Sequence, residues 1–194
     1  FKLGLFIKLG CFSLRFFDSV VPLSEELMED MKKLSIPESK THFIRNGVDL
    51  KEIDHTVAQL NELDNAGVVK QDEDKIIGFI GQIIPRKCVG DLISIFEDLH
   101  VSRPKTNLQL LGDGIDRAKL EAASKKLKSA NAIEFLGFRE DRLALLSQFS
   151  LFVMTSSLEG IPRCMMEAMA VGVPVVAYDI PGVDQLVEHN KTGL

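Results

Sequence analysis

From residue 75 onward, short apolar runs alternate with segments that repeat apolar residues at helical spacing. The runs predict strands at residues 76–80, 108–111, 133–136, 151–154 and 173–177. The intervening and following segments predict helices at residues 91–100, 116–127, 142–149, 163–171 and 182–188. Strands that are apolar throughout are typical of a parallel sheet buried on both faces. The predicted fold class is therefore α/β, a doubly wound, Rossmann-like parallel sheet.

The first 50 residues have a less regular pattern. Residues 1–17 are apolar but contain Lys2, Lys8 and Arg15, which favours an amphipathic helix of a larger domain. A signal peptide and a helix on a membrane surface are the alternatives, although Lys8 interrupts the apolar core that a signal peptide needs. Ser24 is expected to cap a helix that runs to Leu34. The other predicted elements are strands at residues 18–23 and 41–44 and a tight turn at residues 46–47.

Residues 51–74 are acidic and polar, with few large apolar side chains. They predict a solvated connection that contains one short helix. This segment is the best candidate for a domain boundary.

Composition narrows the function classes. The net charge is −5, and because nucleic-acid-binding domains are usually basic, a nucleic-acid partner is not expected. Apolar runs stay below the ~20 residues of a membrane helix. The three cysteines are far apart and form no CxxC pair, which favours a reducing, cytoplasmic environment. Peripheral association with the inner face of a membrane is left open.

Parallel sheets bind ligands beyond the carboxyl ends of their strands, so the loops there are candidate ligand loops. The loop after the first strand contains Gly81, which permits close backbone approach, and Arg86 and Lys87, whose charge suits a phosphate group. A solvated basic turn fits these residues equally well. The Gly-Asp-Gly motif at residues 112–114 favours a tight turn over an anion site. Residues 137–140, in the loop after the third strand, either present backbone groups to the edge of a nucleotide base or only turn the chain.

The loop after the fourth strand is the most informative. Pro162 suits the first position of a helix, so the N–H groups of Gly160 and Ile161 are expected to face an anion, aided by the helix dipole. Glu159 in the loop and Glu167 in the helix can reach the same ligand, since helical side chains lean toward the amino end. A phosphate would repel these carboxylates, so each is expected to accept hydrogen bonds from hydroxyl groups. A diphosphate between two polyhydroxy groups, as in a nucleotide-sugar, matches this pattern.

A purely structural interpretation of the same residues stays open. In it, Glu159 caps the helix and Glu167 pairs with Arg163 one turn earlier. Arg163 itself either adds charge to the site or faces solvent.

Seven motifs follow one another along the chain: VVPLS at 20–24, NGVD at 46–49, IGQIIPRK at 80–87, LGDG at 111–114, FLG at 135–137, EGIPRCMMEAMA at 159–170 and GVPVVA at 172–177. Together they resemble the C-terminal, donor-binding domain of retaining GT-B glycosyltransferases of family four, also called glycosyl transferases group 1. The resemblance extends over residues 18–194.

The resemblance implies a UDP-, GDP- or ADP-sugar donor, no cofactor and no metal. It implies a catalytic pair in which Lys87 contacts the pyrophosphate and Glu159 contacts hydroxyls of the transferred sugar, while Glu167 binds the ribose. The remaining implied contacts are to the distal phosphate, from Gly160 and Ile161, and to the base, from Phe138 and Arg139. The acceptor would be a glycan, a lipid-linked group or a small molecule, as in cell-surface polysaccharide biosynthesis.

Two positions differ from the family pattern. Gln82 stands where arginine is common in the family, so one bidentate phosphate partner is missing. Whether Arg86 takes over this contact is left open. Cys88 stands where glycine is common. The resemblance also implies that residues 1–48 are the tail end of the acceptor-binding N-terminal domain and residues 49–194 a truncated donor-binding domain. Such a piece is not expected to transfer sugar by itself.

Two alternatives come from other function classes. One is a different GT-B enzyme, such as a nucleotide-sugar epimerase or a phosphorylase. The other is a non-catalytic nucleotide-sugar-binding module, which the changes at Gln82 and Cys88 favour and the retained Lys87, Glu159 and Glu167 disfavour.

Overall fold

The structure is a computed structural model that describes residues 9–65 and 75–194, without the side chains of residues 60–65. Predictions for residues 1–8 and 66–74 lie outside the described residues. The chain divides into two compact units, Phe1–Gly47 and Val48–Leu194. Within the described part, no helix combines the length and apolar character needed to cross a bilayer.

The first unit contains helix α1 (Glu25–Lys33). The Ser24 hydroxyl accepts the N–H of Leu27 at 3.4 Å, so the predicted cap is confirmed. Residues 9–13 are helical, as predicted, and continue into a 3-10 turn. The strands predicted at 18–23 and 41–44 are wrong, because these segments share only an isolated bridge between Val20 and Thr41. Residues 46–47 lie in irregular chain instead of a tight turn.

The second unit is built on a parallel five-stranded sheet. Its strands are β1 (Lys75–Ile80), β2 (Thr106–Leu111), β3 (Ile133–Gly137), β4 (Leu151–Met154) and β5 (Val175–Ala177). They lie in the order β3-β2-β1-β4-β5, and every neighbouring pair is parallel. The order reverses direction between β1 and β4, which is where such sheets form a ligand crevice. The predicted fold class is confirmed.

Helices cover both faces of the sheet. They are α2 (Leu50–Asn65), α3 (Val89–Ser102), α4 (Arg117–Ser124), α5 (Arg142–Leu146) and α6 (Arg163–Ala170). Alternate strand side chains point to opposite faces, so Phe79 packs in one buried cluster with Phe96 of α3. Ile80 packs in the other cluster with Leu146 of α5 and Met165 of α6.

Two predictions for the second unit are wrong. The predicted polar connection forms the 16-residue helix α2 as far as residue 65, because Ile53 and Val57, one turn apart, pack into the core beside α5 and α6. Residues 182–186 form turns instead of the predicted helix over 182–188, and residues 187–188 are irregular. Gly182 has a φ of 89°, and a Cβ there would lie 1.6 Å from the carbonyl oxygen of Gly160. Since a right-handed helix needs a φ near −63°, this backbone conformation prevents a regular helix from starting at residue 182.

Candidate functional site

Two adjoining cavities open at the carboxyl ends of the strands, where the sequence predicts the ligand loops. Their volumes are about 410 and 520 Å³, within the range of small-molecule sites. The predicted site residues that line them are Gly81, Lys87, Phe138, Arg139, Glu159, Ile161 and Glu167. Arg86 and Gly160 lie beside these residues in the same loops. The structure brings the predicted residues together, and their roles stay predictions.

Backbone packing between loops builds the floor of this crevice. Gly112 has a φ of 133°, and a Cβ there would lie 1.9 Å from the carbonyl oxygen of Gly81, so only glycine fits. The Gly112 N–H donates to the carbonyl of Gly137 at 2.7 Å. The Gly114 N–H donates to the Asp113 carboxylate at 2.7 Å and is the main cause that lowers the pKa of Asp113. These contacts support the tight-turn interpretation of the Gly-Asp-Gly motif.

Lys87 and Glu159 form a buried ion pair at one end of the second cavity. Lys87 is 7% exposed, and its ammonium group donates to the Glu159 carboxylate. The guanidinium group of Arg86 lies 3.5 Å from the same carboxylate and donates to the carbonyl of Leu158 at 3.1 Å. Two cations from the loop after β1 therefore meet the carboxylate of the loop after β4.

Hydrogen bonds hold these two loops in register. The buried hydroxyl of Thr155 donates to the carbonyls of Lys87 and Cys88 at 3.1 and 3.0 Å. The N–H of Ser157 donates to the carbonyl of Arg86 at 2.8 Å. Sequence reasoning missed Thr155, although its place directly after β4 is a signal that marks a loop-facing residue.

Cys88 adopts a backbone conformation that favours glycine. Its φ and ψ are 48° and 38°, in the left-handed region. A residue with a Cβ therefore occupies a strained backbone position between Lys87 and α3.

Glu167 is the most buried charged group of the crevice, with a side chain only 4% exposed. Arg142 donates to both of its oxygens, from Nη2 to Oε1 at 2.9 Å and from Nε to Oε2 at 3.4 Å. Arg163 donates to Oε1 at 3.0 Å. The ion pair between Glu167 and Arg163 that the structural interpretation predicts is therefore present. The bonds to Glu167 raise the pKa of Arg142 above its ordinary value.

The alternative that Glu159 caps α6 is wrong. The residue at the cap position is Pro162, and it makes no side-chain capping bond. Pro162 thus lies one residue before the helical position that the sequence predicts, because the chain stays extended there, with a ψ of 114°.

Arg142 was not predicted as a site residue. It lines both cavities, together with Ile80, Gly81 and Phe138. It begins α5 directly after the loop that follows β3, and this position is the signal that could have identified it. Its partner Glu167 is 25 residues away in the chain, and only the packing of α5 near α6 brings the two together.

The first cavity has one exposed aromatic wall. Phe138 is 80% exposed and lines both cavities, as suits a surface on which a base can stack. Arg139 donates to both oxygens of Asp141 at 2.7 and 2.5 Å, and these bonds lower the pKa of Asp141. Gln82 lines the same cavity.

The second cavity is locally positive. The charged groups that line it are Lys87, Arg142, Arg163, Glu159 and Glu167. Three positive and two negative charges leave a local charge of +1 in a chain whose net charge is −5, and Arg86, beside this lining, lies 3.5 Å from the Glu159 carboxylate and adds a further cation. The amino end of α6 adds a partial positive charge, so the cavity favours an anion. Among the described residues, no cluster of three or more His, Cys, Asp or Glu side chains could hold a metal ion.

Comparison with known proteins identifies similar chains. The profile of the family "Glycosyl transferases group 1" matches residues 61–194. An uncharacterized glycosyltransferase of Haemophilus influenzae is 30% identical over 139 residues, which are 71% of this chain and 39% of that protein. The N-acetyl-alpha-D-glucosaminyl L-malate synthase of Bacillus anthracis is 26% identical over 176 residues, 91% of this chain and 45% of that protein.

A solved structure has the same fold. The crystal structure of HepE from Anabaena in complex with UDP-glucose is 25% identical and superposes with a TM-score of 0.75, covering 94% of this chain and 50% of that chain. This chain therefore spans about half, or less, of the length of these similar proteins.

Proposed function

Because the chain belongs to the family of glycosyl transferases group 1, we propose that it is the donor-binding half of a retaining glycosyltransferase. The donor is a UDP-, GDP- or ADP-sugar, and the acceptor is a glycan, a lipid-linked group or a small molecule. The protein works in the cytoplasm.

The locally positive second cavity carries this proposal. A diphosphate needs positive charge, whereas the hydroxyls of a sugar and a ribose need acceptors. Lys87 and the amino end of α6 supply the positive charge, and the carboxylates of Glu159 and Glu167 supply the hydrogen-bond acceptors. The aromatic side chain of Phe138 lines this cavity and the adjoining one, and we propose that the base attached to the ribose lies against it.

The same arrangement can stabilise the leaving group. The Lys87 ammonium group has three N–H donors, and Glu159 takes one of them. The others can bind the departing diphosphate as its negative charge develops. Glu159 holds Lys87 in place and offers its remaining acceptor sites to hydroxyls of the transferred sugar.

Isothermal titration with UDP-glucose, UDP-N-acetylglucosamine, GDP-mannose and ADP-glucose tests the donor proposal. One of them is expected to bind, and Lys87→Met is expected to weaken its binding by at least about tenfold, since a charge-assisted hydrogen bond is lost. Lys119→Met removes an exposed lysine outside the cavities and is the matched control. UDP-sugars come first, because the HepE structure holds UDP-glucose.

Lys87→Met alone leaves the Glu159 carboxylate buried with a weaker partner, which destabilises the fold. The double variant Lys87→Met/Glu159→Gln removes both charges and keeps the two side chains similar in size. It is expected to recover thermal stability without recovering donor binding. Failure of the unmodified chain to bind any of the four nucleotide-sugars would refute the proposal.

Catalysis is proposed to need residues beyond these 194, since the similar proteins are about twice as long. The chain is therefore expected to bind a nucleotide-sugar without consuming it, as measured by NMR of the donor. Conversion of the donor sugar without an acceptor would instead indicate an epimerase. For a longer protein that contains this chain, NMR of the product is expected to show the same anomeric configuration as the donor.

A further inference from the structure

The carboxylate of Glu167 has an unequal distribution of hydrogen bonds. Oε1 accepts two charged donors, Nη2 of Arg142 at 2.9 Å and Nε of Arg163 at 3.0 Å. Oε2 accepts one long contact, from Nε of Arg142 at 3.4 Å. Each carboxylate oxygen has about two acceptor sites. The bonds from the described residues therefore fill Oε1 and leave acceptor capacity on Oε2.

Two arginines create this asymmetry together: Arg163 adds the second bond to Oε1, and Arg142 fixes which oxygen takes that position. The guanidinium group of Arg142 is planar, so two N–H groups meet the two carboxylate oxygens at once and fix the rotation of the carboxylate. Glu167 is 4% exposed, and a carboxylate this buried is stable only while it is paired. The fork is therefore expected to persist when a ligand enters the cavity.

We propose that Arg142 is a positioning residue that makes Glu167 recognise only one of the two ribose hydroxyls of the donor. This inference rests on the proposed function, in which Glu167 faces the ribose. A carboxylate without the fork can accept one hydroxyl on each oxygen. In this chain only Oε2 accepts a hydroxyl strongly, because two arginines already fill Oε1.

Titration of the 194-residue chain with UDP, 2′-deoxy-UDP and 3′-deoxy-UDP tests this proposal. Removing the hydroxyl that Oε2 accepts costs a hydrogen bond to a charged group, and removing the other costs little. The two deoxy nucleotides are therefore expected to differ in affinity by at least about tenfold. This ratio depends on the orientation of Glu167 and would not change with overall stability alone.

Arg142→Met is expected to bring the ratio within about threefold, because the carboxylate can then rotate and Oε1 regains an acceptor site. Arg142→Lys keeps the charge but has one ammonium group, so it is expected to lose much of the ratio as well. Arg103→Met, which removes an exposed arginine elsewhere, is the control and should keep the ratio of the unmodified chain. Thermal unfolding of each variant verifies that it is folded.

Two results would overturn the inference. One is equal affinity of the unmodified chain for both deoxy nucleotides. The other is a ratio in Arg142→Lys or Arg142→Met as large as that of the unmodified chain. If the unmodified chain binds UDP, these results leave the proposed function intact. If it binds neither UDP nor any nucleotide-sugar, the proposed function fails, and this inference fails with it.

Discussion

Replacing Cys88 by glycine is expected to stabilise the protein. Cys88 has a φ of 48° and a ψ of 38°, and a left-handed conformation costs a residue with a Cβ about 1–2 kcal/mol. Glycine removes this cost but loses about 0.5–1 kcal/mol through its greater backbone freedom in the unfolded chain. The thiol lies 3.4 Å from the carbonyl oxygen of Pro85, and a thiol is only a weak donor. The difference lies between about 0 and 1.5 kcal/mol, so the free energy of unfolding should rise by about 0.75 kcal/mol, the midpoint of this range.

Unfolding followed by circular dichroism under reducing conditions measures this change. For a chain of this size, the gain corresponds to a Tm increase of about 1–4 °C. Cys88→Ala is the matched control, since alanine lacks the thiol but keeps the Cβ. It should be no more stable than the unmodified chain. A glycine variant that is no more stable than the alanine variant would refute the assignment of strain to this backbone conformation.

Three other predictions concern different parts of the second unit. Gly182→Ala should destabilise the fold by at least about 2 kcal/mol and weaken donor binding, because the new Cβ would lie 1.6 Å from the Gly160 carbonyl oxygen. Urea unfolding measures the loss of stability, and titration with the donor measures the loss of binding. Hydrogen bonds from the Ser129 hydroxyl and N–H lower the pKa of Glu97 in the folded chain. The ionised carboxylate therefore stabilises the fold at pH values above its unfolded pKa of about 4.3. This stabilisation is lost as the pH falls through the lower pKa of the folded state. In thermal unfolding, Glu97→Gln should therefore be less stable at pH 7 and lose less stability between about pH 5 and pH 3. Burial raises the pKa of Cys164 to about 11, so at pH 8 iodoacetamide should alkylate it more slowly in the folded chain than in urea, as mass spectrometry can measure.

Each of these predictions has a result that contradicts it. Gly47→Ala is the control for Gly182→Ala, since a Cβ at Gly47 has no neighbour within 4 Å; an equal loss of stability in both variants would argue against the close approach. For Glu97, an unchanged loss of stability at low pH in the glutamine variant would contradict the reasoning. Equal alkylation rates of Cys164 in the folded and unfolded chains would contradict the prediction that burial suppresses its reactivity.

Much of the fold could be predicted from the sequence, because strands and helices follow local periodicity. The strand at residues 151–154 has the predicted bounds, and the parallel sheet follows from strands that are apolar throughout. The position of the crevice follows from the fold class, since parallel strands end at the same edge. The motif that contains Glu159 and Glu167 placed two carboxylates at this edge.

The tertiary structure decided what these carboxylates contact. The sequence contains Arg142, but no local pattern relates it to Glu167, and only the packing of α5 near α6 joins them. Helix α2 likewise depends on Ile53 reaching a core built by later elements. Residues 182–188 have helical spacing, yet Gly182 must approach the backbone of Gly160. Local periodicity and turn chemistry are properties of short segments, whereas ion pairs and close backbone contacts depend on which segments become neighbours when the sheet forms.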